Sequence, residues 1–269
     1  MNSFIILFST ALGLIIGSFL NVVLCRYNTG RGLKGRSCCF ACNKQLSWLE
    51  LVPLVSFAFQ KGKCKGCKAH ISWQYPLVEI LTGVLFGAVA WSMISGYYYF
   101  DFWFILTLLA HFVAFSFLIL IAVYDLKHKI IPDEWVIGLA VTSILMPFVS
   151  GNGLGFVFFN LGNKIIAGLV LGSFFWLIWN FTKGKAMGFG DVKLAVAVGL
   201  LAGLANGVVG IVFAFWIGAV FGLALIALSR SKKLTSSKIV TMKSEVPFAP
   251  FIVIGIIISI LVNANAFFF

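Results

Sequence analysis

Two groups of residues in this chain have the types and spacing to do chemistry. The first is built on carboxylates, of which the 269 residues contain only eight. Asp191 follows two glycines in Lys185-Ala-Met-Gly-Phe-Gly-Asp-Val-Lys-Leu194, at the start of a long apolar run. An acid at the edge of an apolar helix is costly and marks a functional site when it has a partner and a task. The second group is built on thiolates. Cys39-Phe-Ala-Cys42 and Cys64-Lys-Gly-Cys67 are two hooks separated by 21 residues. Each hook presents two sulfurs from a tight turn, and together they suit one tetrahedral Zn²⁺ at Cys39, Cys42, Cys64 and Cys67.

The elements that must carry these groups are membrane helices. Hydrophobic residues make up 61% of the chain, charged residues 10%, and the mean hydropathy is +1.05. A soluble domain has roughly 45–50% apolar and about 25% charged residues. The apolar runs are continuous and not alternating, which excludes a barrel and predicts an all-α polytopic membrane protein. A net charge of +12 would suggest nucleic acid in a soluble chain, but no basic run is interleaved with aromatics. We therefore expect no nucleic-acid partner; the partner is the lipid bilayer, with basic loops facing its anionic leaflet.

About eight transmembrane helices are expected: Phe4–Leu24, Pro76–Ser95, Phe102–Tyr124, Glu134–Val149, Ile165–Phe181, Leu194–Leu204, Gly207–Leu228 and Phe248–Val262. The first run is too long for the core of a cleaved signal peptide and lacks a basic leader and a small-residue cleavage site. Leu194–Leu204 is short and spans only if its helix begins near Asp191. With the N-terminus outside, 19 of the 20 Lys and Arg fall in inner loops. Nine lie in the Cys-bearing insert from Arg26 to Trp73, and others are Lys127, Lys129, Lys183, Lys185 and Lys193. Five more, among them Lys232 and Lys238, lie between Arg230 and Lys243, leaving Lys164 alone outside. This asymmetry places both termini outside and the insert in the cytoplasm. Two segments follow: 1–100, with the first two spans and the insert, and 101–269, with the remaining spans.

A cytoplasmic insert disfavours disulfides. Structural zinc then contributes much of the folding energy of so short a segment, with a redox pair of Cys-x-x-Cys hooks as the alternative. Cys38 reads as a spare thiol and Cys25 as an apolar packer. His70 has the spacing to replace a thiolate but reads as a bystander. Gly13 with Gly17 and Gly218 with Gly222 form GxxxG pairs expected at close helix contacts. Gly151 to Gly155 reads as a turn.

Among the acids, Asp101, Asp133 and Glu134 open helices, where capping and the helix dipole explain them. Glu50 and Glu245 lie in polar segments, and Glu79, with Ser18 and Asn21, reads as an interhelical hydrogen-bonder. Asp125 and Asp191 differ. One ends the third span and the other begins the sixth, so topology brings both to the inner boundary although 66 residues separate them. A carboxylate pair sharing a proton can deprotonate a water and protonate a leaving amine, the chemistry of peptide hydrolysis. The alternative is an interfacial acid neutralised by Lys127, Lys129 or Lys193. Lys193 points away from Asp191 on a helix and is expected to reach headgroups. His111 lies about 20 Å deeper than Asp125 at 1.5 Å rise per residue and reads as an interhelical hydrogen-bonder. The glycines before Asp191 would let an extended substrate backbone approach closely.

The ordered motifs then resemble a known family. They are Gly17-Ser-Phe-Leu-Asn-Val-Val23 with Arg26, the two Cys hooks, Tyr75-Pro-Leu-Val-Glu79, Asp125 with Ile131-Pro132, Gly188-Phe-Gly-Asp-Val-Lys193 and Pro247-Phe-Ala-Pro-Phe251. Across nearly the whole chain they look like type IV prepilin peptidases, bifunctional leader peptidase/N-methyltransferases of the GxGD aspartic protease family. The resemblance implies that Asp125 and Asp191 are catalytic aspartates cutting the leader from prepilins and pseudopilins at the cytoplasmic face of the bacterial inner membrane. It also implies that the new N-terminus is methylated with S-adenosylmethionine, an activity associated with segment 1–100, in support of type IV pilus or type II secretion assembly. Two positions depart from the pattern: Phe40 stands where relatives often have Pro, and Ala249 where they tend to have Gly. No glycine-rich nucleotide turn is present, so no methyl-donor residues are assigned; Arg26 and Glu79 are the nearest candidates. A proton- or cation-conducting transporter would place its acids near the midplane, and a zinc-bearing assembly factor would not need them.

Overall fold

The computed structural model describes residues 2–30, 32, 35–95, 101–149, 153–231 and 247–262. Among them the chain is helical, with no strand longer than an isolated bridge. Five helices are long and apolar enough to cross a membrane: α1 (Asn2–Arg26), α3 (Gln74–Ile94), α4 (Phe102–His128), α6 (Leu154–Thr182) and α7 (Phe189–Ser231, apolar to Ala227). The shorter α2 (Val55–Phe59), α5 (Asp133–Leu145) and α8 (Ala249–Val262) complete the set. The chain divides into two compact units, Met1–Leu120 and Ile121–Phe269. The expected loop charges at Arg31, Lys34, Lys232, Lys233, Lys238 and Lys243, the acid Glu245, and Gly151 of the expected turn lie outside the described residues. Of that turn, Gly153 caps α6 and Gly155 lies within it.

In the first unit α1 and α3 are antiparallel and meet in steps of one helical turn. A Cβ on Gly13 would come within 2.8 Å of the Gly83 Cα, and one on Gly17 within 2.8 Å of the Glu79 Cα. One turn further, Asn21 Nδ2 donates to the Tyr75 carbonyl at 3.1 Å. Close backbone approach therefore rests on the Gly13/Gly17 pair and on Gly83 of the facing helix. The second expected pair is only half used: Gly218 packs on Phe248 and Phe251, while Gly222 faces open space. Asp101 caps α4 as expected, its Oδ1 accepting from Phe104 N at 2.9 Å.

In the second unit α7 packs against α5, α6 and α8. It is not one helix. Gly203 has φ 71° and ψ 179°, and a Cβ on Gly207 would lie 3.9 Å from the Gly199 Cα. Eight residues of straight helix span about 12 Å, so the chain reverses at Gly203 into a helical hairpin. Its arms, 189–202 and 204–231, correspond to the apolar runs expected as the sixth and seventh spans, Leu194–Leu204 and Gly207–Leu228. The reversal breaks the hydrogen-bond ladder in an apolar setting, where each freed group needs another partner. Lys164 Nζ donates to the Leu201 carbonyl at 3.1 Å, and Asn163 Oδ1 accepts from Leu204 N at 3.4 Å. Across on α8, Ser259 Oγ donates to the Asn206 carbonyl at 2.8 Å.

This corrects the reading of Lys164 as an outer loop charge. The fifth span starts at Leu154, not Ile165, and Lys164 is a buried cation within it, at the carbonyl end of the first α7 arm. A cation there complements the helix dipole. Gly203→Ala forces a side chain into a backbone region open only to glycine and brings Cβ within 3.0 Å of Asn163 Nδ2. We expect it to lower stability in detergent thermal unfolding by about 1–3 kcal/mol, whereas Gly222→Ala leaves the midpoint unchanged.

Candidate functional site

The acidic site is built where two helix ends meet. Asp125 lies in the last turn of α4, and Lys129 N closes that turn on the Asp125 carbonyl at 2.8 Å. Lys129 then leaves the helix with φ 54°. Pro132 cannot continue it, and the chain runs extended until α5 begins at Asp133. Asp191 lies in the first turn of α7, its N–H bonded to the Gly188 carbonyl at 3.2 Å. The α4–α5 corner rests on this first turn: a Cβ on Gly190 would sit 3.1 Å from the Ile131 Cβ. Gly190 therefore makes room for Ile131, which corrects the expectation that both glycines admit a substrate. Gly188 remains open, with nothing nearer its Cβ position than Asp191 Oδ2 and Gly190 N, both at 3.9 Å.

Both carboxylates are buried, Asp125 at 4% and Asp191 at 7% exposure, and near enough for their charges to interact. The backbone N–H of Ala249, first residue of α8, bonds the Asp125 carboxylate, so a helix N-terminus faces the charge. Asp125 Oδ2 has no hydrogen-bond partner among the described residues. Lys193 does not neutralise Asp191. Its Nζ lies 2.8 Å from both carboxylate oxygens of Asp133 and 5.4 Å from the Phe189 ring centre, so its partner is an acid that the sequence reading did not pair with it. This exposed pair links α5 to α7 beside the site.

The Cys insert is a pair of matching knuckles 25 residues apart. Cys39 N bonds the Lys44 carbonyl and Asn43 N the Cys39 carbonyl; Cys64 N bonds the Ala69 carbonyl and Lys68 N the Cys64 carbonyl, all at 2.9–3.0 Å. Asn43 and Lys68 hold the same left-handed turn, φ 56° and 60°. The sulfurs of Cys39, Cys42, Cys64 and Cys67 all lie within 4.8 Å of one another, with Cys39 and Cys67 at 3.8 Å. A tetrahedral thiolate site with metal–sulfur bonds near 2.3 Å has edges of about 3.8 Å, so the four could close on a zinc-type ion with shifts of about an ångström or less. N–H groups of Cys67 and Gly66 draw the Cys64 thiol down to about 6. Cys42 moves the other way: the Lys44 N–H lowers it, but the neighbouring thiols and burial prevail and raise it to about 11. Four sulfurs so close do not all ionise without a cation. Cys38 and His70 lie outside the cluster.

The other polar candidates support the insert. Glu79, buried on α3, accepts from Leu54 N at 2.9 Å and so caps α2. Arg26 donates to the carbonyls of Gly32 and Arg36 at 3.1 and 3.2 Å. Glu50 is not idle: it accepts from Ser47 N at 2.9 Å and pairs with Lys44 at 3.2 Å, and these bonds hold its carboxyl below the ordinary range. His111 bonds within its own helix, to the Thr107 carbonyl at 2.8 Å. Sequence reasoning missed the parts played by Ile131, Asn163 and the Ala249 N–H. Ile131 and Ala249 carried a signal, as parts of the motifs Ile131-Pro132 and Pro247-Phe-Ala-Pro-Phe251; Asn163 carried none.

Comparison with known proteins covers both units. Residues 11–93 match the family model "Bacterial Peptidase A24 N-terminal domain", and residues 112–223 match "Type IV leader peptidase family". The prepilin leader peptidase/N-methyltransferase of Aeromonas salmonicida (strain A449) is 30% identical over 94% of this chain and 88% of its own. That of Bacillus subtilis (strain 168) is 32% identical over 93% and 91%, and that of Neisseria gonorrhoeae 30% identical over 76% of each. No solved structure matches.

The knuckle geometry generates a test independent of any activity. Cobalt(II) added to the metal-stripped protein should bind one per chain with an intense thiolate charge-transfer band. Cys42→Ser and Cys64→Ser should each weaken that band, and Cys38→Ser should leave it unchanged.

Proposed function

The chain belongs to the type IV leader peptidase family, and from that premise we propose that it removes the leader from prepilins and pseudopilins through Asp125 and Asp191. What carries this reading is the approach of two buried carboxylates from α4 and α7, with Lys193 engaged elsewhere by Asp133. A pair holding one proton between them activates water: one carboxylate takes its proton as the oxygen attacks the scissile carbonyl carbon. The other protonates the departing nitrogen as the C–N bond breaks. The N-terminus of α8, through Ala249 N–H, holds Asp125 in place. The open space beside Gly188 is where an extended peptide can lie against Asp191.

The loop charges support an orientation with the N-terminus outside and the site at the cytoplasmic face of a bacterial inner membrane. With Lys164 buried in α6, that asymmetry sharpens. We assign peptide cleavage to segment 101–269 and methylation of the released N-terminus to segment 1–100, with assembly of type IV pili or type II secretion as the process served. S-adenosylmethionine would supply the methyl group, and no residue is assigned to hold it. Arg26 and Glu79 are accounted for by the bonds they make within the insert. The metal of the four cysteines would be zinc, in a structural role: it joins two knuckles that have little apolar core between them.

The test is a purified full-length chain incubated with a prepilin and labelled S-adenosylmethionine, with the product N-terminus mapped by mass spectrometry. Asp125→Asn and Asp191→Asn should each slow cleavage by about a hundredfold to ten-thousandfold while the protein inserts and folds normally. Unchanged cleavage in both variants would refute the assignment. Replacing Cys39 and Cys64 together by Ser should abolish methylation and bound zinc while leaving cleavage measurable, because the two activities are assigned to different segments.

A further inference from the structure

The insert carries a basic surface that neither cleavage nor the metal explains. Lys61, Lys63, Lys65 and Lys68 surround a cavity of about 370 Å³ together with Phe59 and Gln60. All four lysines are exposed, and Lys61, Lys63 and Lys65 alternate with the buried Gly62 and Cys64. Lys61 and Gly62 form a left-handed turn, φ 50° and 67°, that joins α2 to the second knuckle and brings the lysines to one concavity. None has an ion-pair partner among the described residues. Glu50, the only acid between Arg26 and Trp73, is bonded to Lys44. Four like charges are thus held around one concavity by a backbone that the knuckle keeps rigid.

The position of this surface selects its ligand. The end of α1 meets the start of α3, with Asn21 bonded to the Tyr75 carbonyl and Cys25 Sγ 3.3 Å from the Tyr75 hydroxyl. Both spans therefore open on the same membrane face, and the insert lies on that face. Phe57 of α2 packs on Trp73, the residue before α3, with ring centres 5.1 Å apart. From α2 the chain passes directly through Phe59 to Lys61. Phe59 and Trp73 are 83% and 70% exposed, and exposed aromatics beside lysines are what a headgroup layer accommodates.

We propose that Lys61, Lys63, Lys65 and Lys68, with Phe59, form a site for the phosphate of an anionic phospholipid headgroup, docking the cysteine insert on the leaflet from which α1 and α3 emerge. The lysines supply the charge, the Phe59 ring enters the glycerol region, and the metal-braced knuckle presents both as one rigid face. The site is independent of the peptide-cleaving residues.

The experiment measures hydrogen exchange of amides 59–68 in the full chain, in nanodiscs of phosphatidylcholine alone or with a one-third share of phosphatidylglycerol. Exchange should slow about fivefold or more with phosphatidylglycerol, and high salt should remove the protection. The set Lys61→Gln, Lys63→Gln, Lys65→Gln and Lys68→Gln should lose it while keeping one bound metal per chain. The same four positions changed to Arg should keep it, separating charge from folding. Equal exchange in the two nanodiscs overturns the proposal. So does equal protection in phosphatidylcholine nanodiscs by inorganic phosphate or by an acidic peptide, either of which would assign the surface to a soluble anion.

Discussion

An apolar helix in a membrane has no water to satisfy a broken backbone, so every interruption must be repaired from within the chain. That requirement explains where the scarce polar side chains of this protein lie. The reversal at Gly203 is bridged by Asn163 and Lys164, and the carbonyl of Asn206 is met by Ser259. Asn21 reaches the Tyr75 carbonyl at the start of α3, and Glu79 holds Leu54 N where the insert returns to the helices. The first N–H of α8 is met by Asp125. These residues belong to the fold before any of them belongs to a reaction.

The acidic site exploits the same requirement. Helix ends are where unsatisfied N–H groups and carboxylates can meet, and two such ends converge on Asp125: the start of α7, which brings Asp191, and the start of α8. Ile131 packed on Gly190 and Asp133 paired with Lys193 hold the α4–α5 corner against α7. An exposed ion pair contributes little by itself, about 0–1 kcal/mol, so its importance lies in register. The insert solves a different problem. It has too little apolar material for a core, and two identical turns bring four sulfurs to the spacing of a single tetrahedral ion. One end of the chain is thus organised by apolar packing and the other by ligand geometry.

Much of this was legible in the residues. Helical class followed from continuous apolar runs, the four-cysteine cluster from two hooks of the right spacing, and the approach of Asp125 to Asp191 from the expected alternation of helices across a membrane. The twofold sense of the insert was not legible, because Cys39–Gln45 and Cys64–His70 share backbone turns more than residue types. Nor was the length of α6, since Lys164 reads as a boundary charge until a carbonyl is found for it.

Sequence alone determined which segments enter the membrane and which polar groups are too few and too costly to be incidental, since transfer energies are properties of residues. Only the tertiary structure decided who partners whom: that Lys193 takes Asp133 and leaves Asp191, that Ile131 fills the space of Gly190, and that α8 turns its N-terminus to Asp125. Those choices depend on distances of a few ångströms between segments tens of residues apart. Local pattern carries no record of them, because hydrogen bonds and close packing act only once the helices have met.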